Sequence, residues 1–494
     1  MPVAGRMPYG EVPQGVRIFL PGFPRSPFPT TLPDPDMTTD TRQRLNLPAG
    51  WTDPSSLQHL QAMRRHAHRF PEAGWCEFRT AAHWGAFFES IGFKVKAGHE
   101  VIRPEYVRGR DAELAKAALK RAMTQGVSKD LLKAMEGYPA LTAEWDTGRP
   151  GKTVAIRVEL DALAIEEPDD PEHIPAREDF LSKHHGFMHA CGHDGHQAVA
   201  AELGRFIVEN KSHLSGRVRF VFQPAEEGSR GAFPMVQAGI FDDVDVILCA
   251  HIGVDLAPGT VVAAPEKFLS TTKIDFEFRG KPSHAGMQPQ LGRNALLAAA
   301  NAAINMMALP RHGEGMTRVN VGTLHAGEGR NVVPSHASME VEVRGENGLI
   351  NRELVHEAIL RAEGAAMSFG VECRHSIAGE ATDFVPDDSI AQLITVCAHR
   401  ARYCDKVIPT HPYNGSDDGT LMIKRVQERG GRAGYFMVGA ALSEDHSHAT
   451  IDFDEKYLLT LYDTYAQLLV ALIPELPGRH DSRQSWRPIF ELKP

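Results

Sequence analysis

The chain has 494 residues, 42% of them hydrophobic, and a formal net charge of −10. That is ample for a large core and too long for one ordinary domain, while the absence of a basic stripe argues against nucleic acid. No apolar run approaches the roughly 20 residues of a membrane span, no basic-then-apolar leader opens the chain, and six cysteines without a tight framework suit a reducing, cytoplasmic compartment.

Residues 1–45 read as a proline-punctuated arm, in which PVAGRMPYGEVPQG and FPRSPFPTTLPDPD break helix and central strand alike. It either packs on the surface or precedes a true start at Met37. From Leu57, LQHLQAMRRHAHRF has helical spacing, with Ser55 or Ser56 as the expected cap. FRTAAHWGAFFESIGF predicts a second helix ending at Gly92, and a charged insertion over about 106–136 is helical by period. KTVAIRVELDA, GRVRFVFQPAEEG and VDVILCAHIG predict strands, with VAAELGRFIVENKS a helix among them. Strands alternating with helices imply a mostly parallel α/β sheet. Near Ser270 the order becomes β-α-β-β-α-β, the ferredoxin-like split pattern, and near residue 379 the α/β pattern resumes. The expected architecture is α/β: a catalytic domain over 46–269 and 379–494, interrupted by an inserted α+β domain over 270–378.

Five clusters carry chemistry. MHACGHDGHQA packs His189, Cys191, His193, Asp194 and His196 between a predicted strand and a predicted buried helix. Thiol, imidazole and carboxylate are ligands for zinc and its neighbours. His193 and His196 share one side if a helix begins there. In QPAEEG, Glu226 and Glu227 stand at the carboxyl end of a strand, where open α/β sheets collect their ligands. Adjacent residues are expected to point apart, one carboxylate toward a metal and the other toward a proton-transfer role. His251 ends the next apolar strand in AHIG. DHSHATIDFDE holds His446 and His448, and GKPSHAG holds His284. Outside these motifs, His66, His68, His184 and His185 read as packing, surface or loop residues, and Cys249 as a buried strand residue. SDDG, at 416–419, holds a further acidic pair, Asp417 and Asp418.

These motifs, with RVELDAL and GRNVVP, recur in order from about 57 to 470. The chain resembles the metallo-amidohydrolase branch that includes hippurate hydrolase and the auxin–amino acid conjugate hydrolases, within the aminoacylase–carboxypeptidase family. EAGWCEFRT, the charged insertion, TTK, TRVNVG and DDGTLM resemble more narrowly one of the homologous subunit types of p-aminobenzoyl-glutamate hydrolase. The resemblance implies a metallopeptidase-like catalytic domain with a ferredoxin-like lid and dimerisation domain. It implies two divalent ions, Mn or Zn, and hydrolysis of an aromatic acyl–amino acid amide: most closely p-aminobenzoyl-glutamate, otherwise a broader range of N-acyl amino acids. It implies a homodimer, or a heterodimer with a homologous subunit on which activity can depend. Cys191, His193, Glu227, His251 and His446, with His448 as the alternative, are the expected metal ligands. Glu226 is the expected base and acid. The partner subunit's His284 would hold the oxyanion, Asn331 and Arg344 the substrate carboxylate, and Asp161 would orient a ligand. Where the family carries an aspartate two residues before Asp161, this chain has Glu159, which either shifts that support or swings outward.

Overall fold

The computed structural model describes residues 53–253 and 255–474; the proline-rich arm lies outside them. Among the described residues, twelve strands form two sheets. In chain order they are β1 (Lys94–Ala97), β2 (Leu141–Asp146), β3 (Thr153–Glu159), β4 (Arg217–Gln223), β5 (Val246–Ile252), β6 (Thr260–Glu266), β7 (Ser270–Arg279), β8 (Thr317–Ala326), β9 (His336–Gly345), β10 (Glu372–Ala381), β11 (Lys406–Pro412) and β12 (Arg432–Val438).

The larger sheet runs β1-β2-β4-β3-β5-β12-β6-β11. Its centre, β4-β3-β5-β12, is parallel, and β6-β11 is parallel too. The pairings β1-β2, β2-β4 and β12-β6 are antiparallel, so the sheet is mixed around a parallel centre. Every residue of β3 and β5 is buried, as befits parallel strands covered on both faces. One helical group, Ser56–His68, His193–Glu209 and Tyr457–Leu472, packs together. Another, Ala232–Gln237 and Gly419–Glu428, does the same. Trp75, Phe241, Ile247, Val262, Met422 and Tyr435 belong to the main core. Because β3, β4 and β5 run in one direction, their carboxyl ends open on the same side, and there the site forms.

The smaller sheet, β10-β7-β9-β8, is antiparallel throughout. With the helices Ala295–Met307 and Gly348–Phe369 it has the β-α-β-β-α-β order and the 4-1-3-2 strand arrangement of a ferredoxin-like unit. β7 alternates between buried and exposed positions, as expected of a sheet with helices on one face. β10 runs on to Ala381, beyond the expected end of this unit, and pairs with β7 through a bulge between Ile377 and Gly379.

Local differences from expectation have simple causes. Ser55 stands at the N-cap of the helix Ser56–His68 but makes no side-chain cap bond; instead Asp53 accepts from Ser55 N at 2.8 Å. The charged insertion is two helices, Ala112–Ala122 and Lys129–Ala134, capped by Asp111 and Ser128. No helix of the described residues is long and apolar enough to cross a membrane.

Candidate metal centre

The helix His193–Glu209 starts inside the histidine-rich motif, after Gly192 in a left-handed conformation (φ 93°). This start places Cys191 and His193 beside His251 at the end of β5. Ligand atoms of these three lie within 4.8 Å of one another, and Cys191 Sγ is 3.5 Å from His251 Nε2. Each imidazole is oriented through its other nitrogen. His193 Nδ1–H donates to the Asp161 carbonyl at 2.9 Å, and His251 Nδ1–H to the Ile252 carbonyl at 2.8 Å. His193 Nε2 is then buried without a partner.

His446 joins this group. Its ring centroid is 5.6 Å from that of His251, its Nε2 bonds the Gly253 carbonyl, and its Nδ1 is buried and unpartnered. His448 is exposed and bonds Thr450 through Nδ1 at 2.9 Å. His196 spends both nitrogens, on Glu159 at 2.9 Å and on the Ile252 amide at 3.0 Å, so neither is free to ligate.

Glu226 and Glu227 do not point apart. Both carboxylates come within 4.8 Å of His193's ligand atom and of each other. Strand alternation ends at Gln223, and the pair lies in a tight turn closed by Ser229 N–H donating to the Glu226 carbonyl at 2.7 Å. The Asp161 carboxylate accepts from the Glu226 and Glu227 amides at 3.1 and 2.9 Å. It therefore supports the turn as well as facing His193, from whose Nδ1 it lies 3.7 Å.

Below this turn lies a charged cluster that the motifs reveal only in part. Arg157 is buried on β3. It donates to Gln223 at 2.9 Å, to both oxygens of Asp417 at 2.9 and 3.1 Å, and to Glu159. Tyr435 O–H donates to Asp417 at 2.8 Å. Asp418 accepts from Gln223 at 2.6 Å and from the Ala232 amide at 2.9 Å. Glu226 lies within ligand distance of Asp417 and Asp418, but those oxygens are already taken. Glu159 points inward, bridging Arg157 and His196. The signal was present: Arg157 and Glu159 share one face of a fully buried strand, where charges persist only when paired.

Burial and the Asp417, Glu227 and Asp418 carboxylates push Glu226 well above the usual carboxylate range. Burial pushes the Cys191 thiol up to about 12, with Glu227 adding to the effect. Burial and the neighbouring imidazoles of His196 and His446 hold His251 well below the usual imidazole value. Thiol, imidazoles and carboxylates meet around nitrogens with no protein partner. That donor set fits first-row divalent cations.

His284 and Asn331 stand elsewhere, on adjoining turns of the small unit. Ala285 N–H donates to the Asn331 carbonyl at 2.9 Å, and His284 is exposed, accepting at Nδ1 from the Gly286 and Met287 amides. These turns adjoin the Arg279 end of β7, where Gly280 N–H bonds the Ser335 carbonyl. Arg344 pairs with Thr271 at the other end of the sheet and is bonded to Glu342 at 2.9 and 3.1 Å. Its neighbour Lys273 reaches Ser229 of the glutamate turn at 3.2 Å. The structure thus brings Arg344's end of the sheet to the candidate centre and leaves His284 and Asn331 at the far end.

Residues 155–471 match the model for Peptidase family M20/M25/M40. The chain is 44% identical over 418 residues to a Haemophilus influenzae homolog of one p-aminobenzoyl-glutamate hydrolase subunit, covering 84% of this chain and 99% of that protein. It is 41% identical over 413 residues to the indole-3-acetyl-aspartic acid hydrolase of Enterobacter agglomerans, covering 83% and 95%. The crystal structure of the aminobenzoyl-glutamate utilization protein from Klebsiella pneumoniae is similar with a TM-score of 0.71 at 36% identity, covering 84% of this chain and 95% of that one.

Proposed function

The chain belongs to the M20/M25/M40 peptidase family and is an amidohydrolase acting on acyl–amino acids, and from this we propose that it cleaves the amide between an aromatic acyl group and an acidic amino acid, p-aminobenzoyl-glutamate first among candidates. One observation carries the reading: Cys191, His193 and His251 bring their ligand atoms together, with the His446 ring beside His251 and orphaned nitrogens on His193 and His446, next to the paired carboxylates Glu226 and Glu227. The two relatives described above, whose names speak of p-aminobenzoyl-glutamate and of indole-3-acetyl-aspartic acid, share an aromatic acyl group and a dicarboxylic amino acid.

In this reading Cys191, His193, Glu227, His251 and His446 hold two divalent cations, Mn or Zn. Thiol and imidazole favour zinc, while carboxylate donors suit manganese. Such ions supply Lewis-acid activation of water and of the scissile carbonyl. Glu226 takes a proton from the attacking water, whose oxygen bonds to the carbonyl carbon. It then delivers that proton to the departing nitrogen as the C–N bond breaks. Asp161 orients His193 and the glutamate turn. Arg344, with Lys273 beside it, meets the carboxylates of the amino acid, for which the guanidinium fork is suited. The partner subunit's His284 stabilises the oxyanion, with the partner subunit's Asn331 on the substrate. The partner is a second copy of this chain or a homologous protein, in keeping with the naming of the Haemophilus relative for one subunit of its enzyme.

The test loads the purified chain with Mn²⁺ or Zn²⁺ and follows p-aminobenzoate release, with indole-3-acetyl-aspartate and hippurate as comparators. Glu226→Gln should lower kcat by about 10²–10⁴-fold and leave metal content unchanged. Equal turnover by the variant would remove Glu226 from this role. Bound metal without turnover on any amide would point to an obligatory partner subunit.

A further inference from the structure

The residue before the two glutamates is Ala225, whose φ of 51° is left-handed without the freedom of a glycine. Its carbonyl accepts from the Arg230 and Gly231 amides at 3.1 and 3.0 Å. Its own amide donates at 2.6 Å to Glu77 Oε1, from a segment 148 residues earlier in the chain. Glu77 is 0% exposed and stands at the N-cap of the helix Phe78–Ser90. The side chains that ordinarily cap a helix there are the shorter ones of Ser, Thr, Asp and Asn, and Glu77 makes no bond to its own helix's first amides. Its carboxyl is turned to Ala225 instead, and its other oxygen is buried without a partner. Gly74 closes the contact, since a β-carbon there would lie 3.0 Å from Ala225 Cα and Cβ. Three successive amides, of Ala225, Glu226 and Glu227, are thus held by two buried carboxyl groups, Glu77 and Asp161.

We propose that Glu77 is a positioning residue of the active site: by accepting the Ala225 amide it holds the left-handed turn that brings both Glu226 and Glu227 to face His193. Without that acceptor, the strain at Ala225 is opposed by one bonded amide fewer, and the turn relaxes toward ordinary backbone, swinging both carboxylates off the centre. This inference rests on Glu227 being a metal ligand and Glu226 the proton carrier.

The test uses the full chain and four proteins: wild type, Glu77→Met, Glu77→Gln and Glu72→Ala. Methionine fills the buried volume but offers no oxygen acceptor, whereas glutamine keeps one. Glu72 is an equally buried carboxyl, but its side chain bonds Thr80 and Arg121, away from the turn. Mn²⁺ affinity is read by calorimetric titration, kcat and KM on p-aminobenzoyl-glutamate, and Tm by thermal melting. Glu77→Met should weaken Mn²⁺ binding by about 10–100-fold, the usual cost of losing a group that orients a ligand, and lower kcat more than it raises KM. Glu77→Gln should recover both. Glu72→Ala should lower Tm while keeping wild-type Mn²⁺ affinity. Wild-type affinity in Glu77→Met, no recovery in Glu77→Gln, or an equal loss in Glu72→Ala would each overturn the proposal. Failure of the functional reading looks different: the wild-type chain would then bind neither Mn²⁺ nor Zn²⁺.

Discussion

His446 and His448 are two residues apart in the chain, and the residue between them separates their surroundings. Ser447 adopts φ 67°, and its amide bonds the Ala190 carbonyl at 3.0 Å, pinning this loop to the one that carries Cys191. The left-handed step turns His446 to the His251 side and leaves His448 in solvent. Removing the imidazole at 446 should therefore cost metal, and removing it at 448 should not. Elemental analysis after dialysis is expected to show less bound metal in His446→Ala than in wild type, with His448→Ala unchanged. A reversed pattern would make His448 the ligand. The sequence named both, with His446 preferred on the resemblance and His448 kept as the alternative; spacing alone could not separate them, because a positive φ at a serine leaves no mark in composition. Glu159 was open for a related reason. An extra methylene permits either direction, and only the buried Arg157 and His196 show why it turns inward.

At the scale of elements, one buried arginine ties three segments together. Arg64, on the first helix, donates to Asp194 at 2.7 Å and to Asp452 at 2.6 Å, joining the start of the His193–Glu209 helix to the segment following His446. His68, one turn on, bonds Asp194 at 2.8 Å and Glu167 at 3.0 Å. Burial alone would lower the His68 pKa, but these two carboxylates outweigh it and raise it to about 9. Burial likewise opposes the His173 and His68 bonds that hold Glu167 down to about 2. A raised folded pKa gives stability that is complete below the unfolded value of about 6.5 and lost as pH climbs through the folded one. A depressed carboxylate gives stability present above about 4.3 and lost as pH falls toward its folded value. Both contributions are full between these unfolded values. The Tm gap between wild type and His68→Gln should be widest near pH 6 and narrow toward pH 10. A gap independent of pH would show that His68 serves through packing alone, which is how the sequence read it. Elements were legible where an apolar or β-branched run was unbroken, as in β3 and β5, or a helical period was long, as in the helix His193–Glu209. β11 and β6 were not: KVIPTHP and TVVAAPE carry prolines, which argue against a strand unless it lies at an edge or the proline closes it. β11 is such an edge, and in β6 the proline is the penultimate residue. β1, with four residues, is too short to show a period at all.

At the scale of the whole molecule, the small sheet decides what one chain can do alone. Arg344 and Lys273 stand at the end of β7 that touches the glutamate turn, whereas His284 and Asn331 follow its far end. From Thr271 to Arg279 the strand rises roughly 27 Å at its usual spacing, several times the reach of any side chain. His284 and Arg344 of one chain therefore do not serve one substrate in this arrangement. If His284 acts, it acts on the centre of another protomer, and a two-fold dimer makes that exchange reciprocal. Complementation follows. His284→Ala leaves each chain's own metal centre intact but takes the lent imidazole from its partner, and Glu226→Gln disables its own centre but still lends His284. Each variant alone should be nearly inactive. In a heterodimer of the two, the centre with Glu226 receives the intact His284, so one of its two sites is whole. Random mixing makes half the dimers mixed, so coexpression in equal amounts should restore about a quarter of wild-type activity. No recovery in heterodimers purified by two different tags would mean that each chain completes its own site, with the small unit swinging its far end inward.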